Sequence, residues 1–205
     1  MHISEGVLPP SLLFGGAALG LLGVGAGLRK MRQIEVPLVG LLTAAFFVAS
    51  LIHVPLGPVS GHLVLNGLVG LIIGWACFPS ILVALLLQAL FFQYGGITVL
   101  GVNTVNMALP ALLLSLACRP LIRRDHRLLN TLGAFVAGGG AVLGSGLMVA
   151  GCLTLAGEAF IPAATAVLAA HIPIMAIEGI VAVFAIGFIK RVKPEMLRIS
   201  TESRS

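Results

Sequence analysis

Charge is what this chain lacks most. Only 9% of its 205 residues are Asp, Glu, Lys or Arg, where an ordinary soluble domain carries about 25%. Carboxylates are the rarer half, with 7 Asp and Glu against 12 Lys and Arg. Cysteine is limited to Cys77, Cys118 and Cys152, each in a different apolar run, and their spacing fits no zinc pattern. They read as small packing residues. HExxH, GxSxG and the phosphate-cradling GxxxxGK[ST] are all missing. These gaps argue against an intramembrane metalloprotease, a serine hydrolase and ATP hydrolysis by this chain. No repeat of 20–50 residues is visible.

What fills the chain instead is apolar sequence: 59% of it is hydrophobic, with a mean hydropathy of +1.12. A membrane span takes ~20 apolar residues at ~1.5 Å each to cross a ~30 Å hydrocarbon core. Runs of that length recur throughout, which excludes a soluble enzyme, a nucleic-acid binder and a disordered adaptor. A β-barrel is excluded as well, since its strands alternate and are ~9–11 residues long. The start, MHISEGVLPP, has no basic segment ahead of a short apolar stretch, so no secretory signal peptide is expected. The first span, and Met1 with it, should stay in the mature protein.

Apolar runs read against Pro, Gly and basic punctuation predict seven spans: about 9–28, 36–54, 62–78, 80–93, 104–118, 129–153 and 171–190. Residues 1–8 form a tail ahead of them and 191–205 a tail behind, in a single transmembrane domain. The stretch 160–190 is too long for one span. Its last segment should begin near His171, with 160–170 as a short outer helix or re-entrant piece. All twelve basic residues fall in three clusters: Arg29, Lys30 and Arg32; Arg119, Arg123, Arg124 and Arg127; and Lys190, Arg191, Lys193, Arg198 and Arg204. Each cluster follows an odd-numbered span. With the N-terminus outside, all three reach the cytoplasm and none is left outside. The expected fold is an all-α, seven-helix bundle, N-terminus out and C-terminus in.

Glycine is plentiful, at 26 residues. Gly140 and Gly144 make a small-xxx-small pair in span six, and Ala45 and Ala49 another in span two. Such pairs serve either close packing inside the bundle or a surface that slides on a membrane partner.

The polar residues gather at the outer helix ends. His2 lies in the tail, His53 ends span two, His62 begins span three and His171 begins span seven. His126 sits in an inner basic loop. Asn66 lies one turn below His62, and Asn103 and Asn106 open span five. Glu178 shares a helix face with His171 and Met175, at i, i+4 and i+7. Polar groups in a membrane usually face the interior or a cavity. A single histidine there can be a structural hydrogen-bonder or a ligand. Four on one side point towards a transition metal, for which imidazole is the commonest ligand. Ca and Mg want oxygen ligands, and no Cys or Met cluster invites Cu(I). The Met1 amine, the His2 backbone nitrogen and the His2 imidazole can chelate one ion in a plane. A fourth nitrogen, for example from His62, would complete a square suited to Ni(II) or Cu(II).

Four motifs occur in order: MHISEG at the start, SGHLVLNG after span two, GVNTVNMALP at span five and HIPIMAIEG in span seven. Together they resemble the CbiM/NikM family over essentially the whole chain. These are the substrate-specific membrane subunits of energy-coupling factor cobalt/nickel transporters. The resemblance implies a seven-helix bundle whose N-terminus inserts into its outer side. It implies a metal held by the Met1 amine, the His2 amide and imidazole nitrogens, and the His62 imidazole. Asn103 and Asn106 resemble the loop that closes over the site, and His171 and Glu178 match the span-seven motif in supporting roles. Asn66, one turn below His62, is expected to support the site as well. His53 falls outside the pattern, as a residue on the metal's path or in the packing. No permanent cofactor is implied; Co(II) or Ni(II) is the substrate. The implied partners are a transmembrane coupling subunit, two cytoplasmic ATPase subunits and a small accessory membrane protein, in a bacterial or archaeal plasma membrane. The Ala45–Ala49 ridge is the expected coupling surface. The competing reading is a stand-alone channel or secondary carrier, which would more often show inverted repeats and several buried charges.

Overall fold

A computed structural model describes residues 2–31, 36–56, 59–124 and 126–197, with only the backbone of 53–56 and 59–61. Among the described residues the chain forms seven α-helices: α1 (Pro10–Met31), α2 (Val36–Ala49), α3 (Asn66–Ile73), α4 (Cys77–Phe92), α5 (Leu100–Arg123), α6 (Arg127–Ala156) and α7 (Ile161–Val192). Between α2 and α3 stands one antiparallel hairpin of β1 (His53–Leu56) and β2 (Val59–His62). Five segments are long and apolar enough to cross a membrane: α1, α5, α6, α7 with the turn before it, and the Asn66–Phe92 stretch that holds α3 and α4. α2 is apolar but only 14 residues long.

The exterior is a lipid exterior. Phe14, Leu21, Phe184 and Phe188 are each at least 65% exposed, on a scale that water would not tolerate. The interior holds the polar side chains, with Asn66, Gln88, Asn103, Asn106 and Glu178 all at 2% exposure or less. This is a multi-pass membrane protein.

α6 is the central post, and its glycines make it so. Gly140 and Gly144 face α5, where an added Cβ would meet Leu114 at 3.1 Å and Pro110 at 2.8 Å. Gly138, Gly139 and Gly146 face α7, against Ala182, Met175 and His171. The Gly140/Gly144 pair therefore serves close packing within the bundle. On α2, Ala45 is exposed but Ala49 is buried at 3%. The two alanines do not form one outward ridge, because the C-terminal turn of α2 tilts into the core beside Ser50, itself 2% exposed.

Three boundaries differ from the sequence reading. α7 is a single helix of 32 residues, ~48 Å long at 1.5 Å per residue, with no break at His171. Ala-rich IPAATAVLAA favours helix, and Pro162 sits in the first turn, where its missing N–H costs nothing. Pro173 lies inside the helix without ending it. His171 is thus ten residues into α7, not at a helix start. Residues 53–56 and 59–62 pair as strands rather than forming two helix ends; the prolines and glycine of this sequence disfavour helix, while Val54 and Val59 favour strand. The third span is cut short: α3 is only 8 residues and stops at Gly74, whose φ of +55° belongs to the left-handed region. The Arg119 guanidinium from α5 donates there to the Gly70 and Leu71 carbonyls at 2.9–3.2 Å, satisfying helix-end acceptors that lack partners of their own.

Candidate metal centre

The tail ahead of α1 is threaded into one end of the bundle and held at three points. Asn103, in the first turn of α5, accepts from the Ile3 N–H at 3.1 Å and donates to the Ile3 carbonyl at 3.0 Å. One side-chain amide thereby replaces a β-ladder partner for residue 3. Glu5 Oε1 accepts from both the backbone N–H and the hydroxyl of Thr98, at 2.9 and 3.1 Å. These bonds hold the exposed Glu5 carboxyl below its ordinary range. The connection between α4 and α5 closes over the tail. Gln93, Gly95 and Gly96 all have positive φ, and a Cβ at Gly95 would come 2.9 Å from the Asn103 amide and 3.5 Å from His2 Cβ. A cavity of about 320 Å³ opens beside this latch, lined by Glu5, Ala89, Gln93, Gly95, Gly96 and Ile97.

His2 is carried inward by this clamp. Its Nε2 lies 2.7 Å from the Gln88 side-chain oxygen, near the end of α4. A carbonyl oxygen only accepts, so Nε2 carries the proton and Nδ1 carries the lone pair. Burial, the largest cause, lowers the imidazole to about 3. The ring is therefore neutral at physiological pH, as a metal ligand must be. It stacks on His62 with centroids 5.4 Å apart and planes 27° apart, and Tyr94 flanks it at 5.8 Å. His62 Nδ1 donates to the Leu63 carbonyl at 2.9 Å, which leaves the lone pair on its Nε2. The two imidazoles thus meet with fixed and opposite tautomers.

His62 is placed by the hairpin and by α7. It ends β2, directly across the ladder from His53, and opposed positions in an antiparallel pair are close neighbours. Beyond it, Glu178 of α7 accepts from the Val64 N–H and, at 3.0 Å, from the Leu65 N–H. Leu65 takes φ +57° to reach this position, a conformation that costs a non-glycine residue ~1–2 kcal/mol. The carboxylate also lies at the N-terminus of α3, where the helix dipole favours negative charge. Asn66 then ties α3 to its neighbours, donating to the Met107 carbonyl and to Ser145, each at 2.9 Å.

The expected residues therefore divide. His2, His62 and Asn103 come together, with Glu178 and Asn66 anchoring the segment that bears His62. No described hydrogen bond or ring contact ties His171 to them: its Nδ1 donates to the Val167 carbonyl within α7, its ring packs on Gly146, and its Nε2 is buried without a hydrogen-bond partner among the described residues. Asn106 is not part of a closing loop. It lies inside α5, facing Cys152 of α6 at 3.8 Å, and the closing segment is 93–98. Met1 lies outside the described residues. Gln88, Ser50 and Tyr94 were not anticipated. Gln88 was detectable as the lone amide in the apolar run VALLLQALFF, since a buried amide in a span needs partners. The Glu5 and Glu178 carboxylates are both engaged by backbone N–H groups, and a pair of imidazoles suits a late transition-metal ion rather than a hard cation.

The family model for the cobalt uptake substrate-specific transmembrane region, CbiM, matches residues 2–196. A Haemophilus influenzae metal transport protein is 42% identical over 202 residues, covering 96% of this chain and 97% of its own. The Sorangium cellulosum cobalt transport protein CbiM is 32% identical, covering 96% and 94%. The Rhodobacter capsulatus fused nickel transport protein NikMN is 33% identical over 72% of this chain and 42% of its own. The fold also matches the crystal structure of a transition metal transporter, with a TM-score of 0.75, 23% identity and full coverage of both chains.

Proposed function

The chain belongs to the CbiM family of cobalt-uptake substrate-specific transmembrane proteins, and from that membership we propose that it captures Co(II) or Ni(II) at the outer face of the membrane for ATP-driven uptake. The observation that carries the proposal is the seating of His2, clamped through Ile3 and stacked on His62. Among the described residues no three His, Cys, Asp or Glu cluster as a metal site. Two imidazoles alone hold an ion weakly, so the remaining donors should be backbone nitrogens: the Met1 amine and the His2 amide. With His2 Nδ1 and His62 Nε2 they make four nitrogens, the planar set that Ni(II) favours. Binding must release protons from the amine and the amide. The ion would approach beside Glu5, through the cavity at the latch, and His53 would support the site from across the hairpin.

Seven spans with the N-terminus outside fit this reading, because Arg29, Lys30, Arg123, Lys190 and Arg191 all lie in the last turns of helices whose first turns belong to the opposite end. The chain has no phosphate loop, so the energy would come from cytoplasmic ATPases through a transmembrane coupling subunit. Fused relatives such as NikMN fit such an assembly. The exposed flank of α2 around Ala45 is the proposed contact for the coupling subunit.

The test is metal titration of detergent-purified chain with its native N-terminus, beside a form with one residue added before Met1. One-to-one binding of Ni(II) or Co(II), lost on extension, is expected. Equal binding by both forms would overturn the N-terminal chelate.

A further inference from the structure

We propose that Gln88 is a positioning residue for the metal site, holding His2 in its Nε2–H tautomer through a relay that ends on the backbone of α2. The inference rests on the reading of His2 as a ligand, but the relay itself belongs to the metal-free protein.

Three hydrogen bonds run in sequence: His2 Nε2 to Gln88 Oε1 at 2.7 Å, Gln88 Nε2 to Ser50 Oγ at 2.9 Å, and Ser50 Oγ to the Phe47 carbonyl at 2.7 Å. Their directions are fixed from the far end. The Phe47 carbonyl can only accept, so it takes the single Ser50 proton. Ser50 Oγ must then accept, which requires the NH₂ side of the Gln88 amide to face it. That turns Oε1 towards His2, and Oε1 can bond the ring only if Nε2 bears the proton. Gln88 is 0% exposed and Ser50 2%, so the chain of bonds is shut off from bulk water. A reversed amide would set two acceptors, Oε1 and Ser50 Oγ, against each other, or strip the Phe47 carbonyl of its donor.

The chemical consequence lies on the other side of the ring. A backbone nitrogen and the imidazole of the same histidine close a six-membered chelate only through Nδ1; Nε2 is too far away. The relay keeps Nδ1 deprotonated and aimed before any metal arrives. The bond from Nε2–H to Gln88 also makes Nδ1 a better donor. Partners of this kind typically matter by 10–100-fold in metal affinity.

The experiment uses the full chain with its native N-terminus and ¹⁵N-labelled histidine rings, His2 being assigned from a His2→Gln sample. The His2 tautomer is read without metal, and Ni(II) and Co(II) affinities are then measured, for wild type, Gln88→Met and Ser50→Ala. Met fills the space of Gln with only a weak thioether acceptor and no donor. Expected are a single Nε2–H tautomer in wild type, a mixture in Gln88→Met with metal affinity down about 10–100-fold, and a smaller shift in the same direction for Ser50→Ala. Unchanged ring signals of His171, held within α7 and against Gly146, mark an intact fold, which a merely structural loss would not preserve. A wild-type His2 protonated on Nδ1 overturns the proposal, and so does wild-type tautomer or affinity in Gln88→Met. Should Gln88→Met not fold, Ser50→Ala decides: a shifted tautomer supports the relay and an unchanged one overturns it. If wild type binds neither ion, the ligand reading fails; if it binds and Gln88→Met binds equally, only the relay fails.

Discussion

Asn103 and Ile3 are a hundred positions apart, yet one side-chain amide satisfies both the N–H and the carbonyl of that one residue. The pair converts a loose N-terminus into a part of the bundle, since Ile3 is 3% exposed and Asn103 2%. Removing the amide leaves two buried backbone groups unpaired, at ~1–3 kcal/mol each. Asn103→Ala should therefore release the tail and weaken metal binding at least about tenfold, while the helices persist. Hydrogen exchange at residues 3–6 beside a metal titration checks this. Unchanged protection in that segment would show that Asn103 is not the clamp.

Glu178 does for His62 what Asn103 does for His2. Its carboxylate reaches from α7 to the Val64 and Leu65 N–H groups and steadies a left-handed Leu65. Glu178→Ala should destabilise the protein by a few kcal/mol, two donors at ~1–3 each. Glu178→Gln, which keeps one acceptor, should fall between. Thermal unfolding in detergent gives the order: wild type, then Gln, then Ala. Equal midpoints for Gln and Ala would mean that the acceptor role is not what matters.

Much of this was legible before any coordinates. The spans α1, α5 and α6 follow from apolar length and basic punctuation; polar residues at outer helix ends marked His2 and His62 as candidates, and the motif resemblance paired them. What was not legible depends on the tertiary fold. Nothing local in VPLGPVSGH distinguishes a loop from a hairpin that sets His53 opposite His62. His171 reads as an outer residue until α7 is seen to run unbroken from Ile161. Asn106 and Asn103 are three positions apart on one helix, and only the neighbours decide that Asn103 meets the tail while Asn106 meets Cys152. Gln88 was hidden because its meaning lies in Ser50 and His2, both distant in sequence.

The latch over the tail rests on two glycines that cannot be replaced freely. Gly95 and Gly96 have φ of +78° and +141°, and added Cβ atoms there would press on Asn103 and Glu5 respectively. Gly25 in α1 has ordinary φ and nothing within 4 Å of an added Cβ. Gly95→Ala should cost ~1–2 kcal/mol from the backbone alone and reduce metal affinity by moving Asn103. Gly25→Ala should be neutral or stabilising by up to ~1 kcal/mol, as alanine is the better helix former. Equal effects at Gly25 and Gly95 in paired stability and affinity measurements would rule out a role for the latch.

Acid should open the site from the tail side. Undocked, His2 titrates near its ordinary value of 6.5; docked, burial keeps it neutral down to about 3. Between those values the released tail binds a proton that the docked tail refuses. Docking is therefore fully favourable above about pH 6.5 and weakens progressively as pH falls towards 3. His2→Gln cannot take up that proton, so its tail should show no such window, though its docking is weaker throughout. Ring ¹⁵N signals of His2, followed from pH 7.5 to 4.5 without metal, should stay those of a neutral imidazole while docked and gain a protonated, exposed population as pH drops. A single His2 species titrating near 6.5 would mean that the ring is not buried against Gln88 and His62, and the site would have to be assembled by the metal itself.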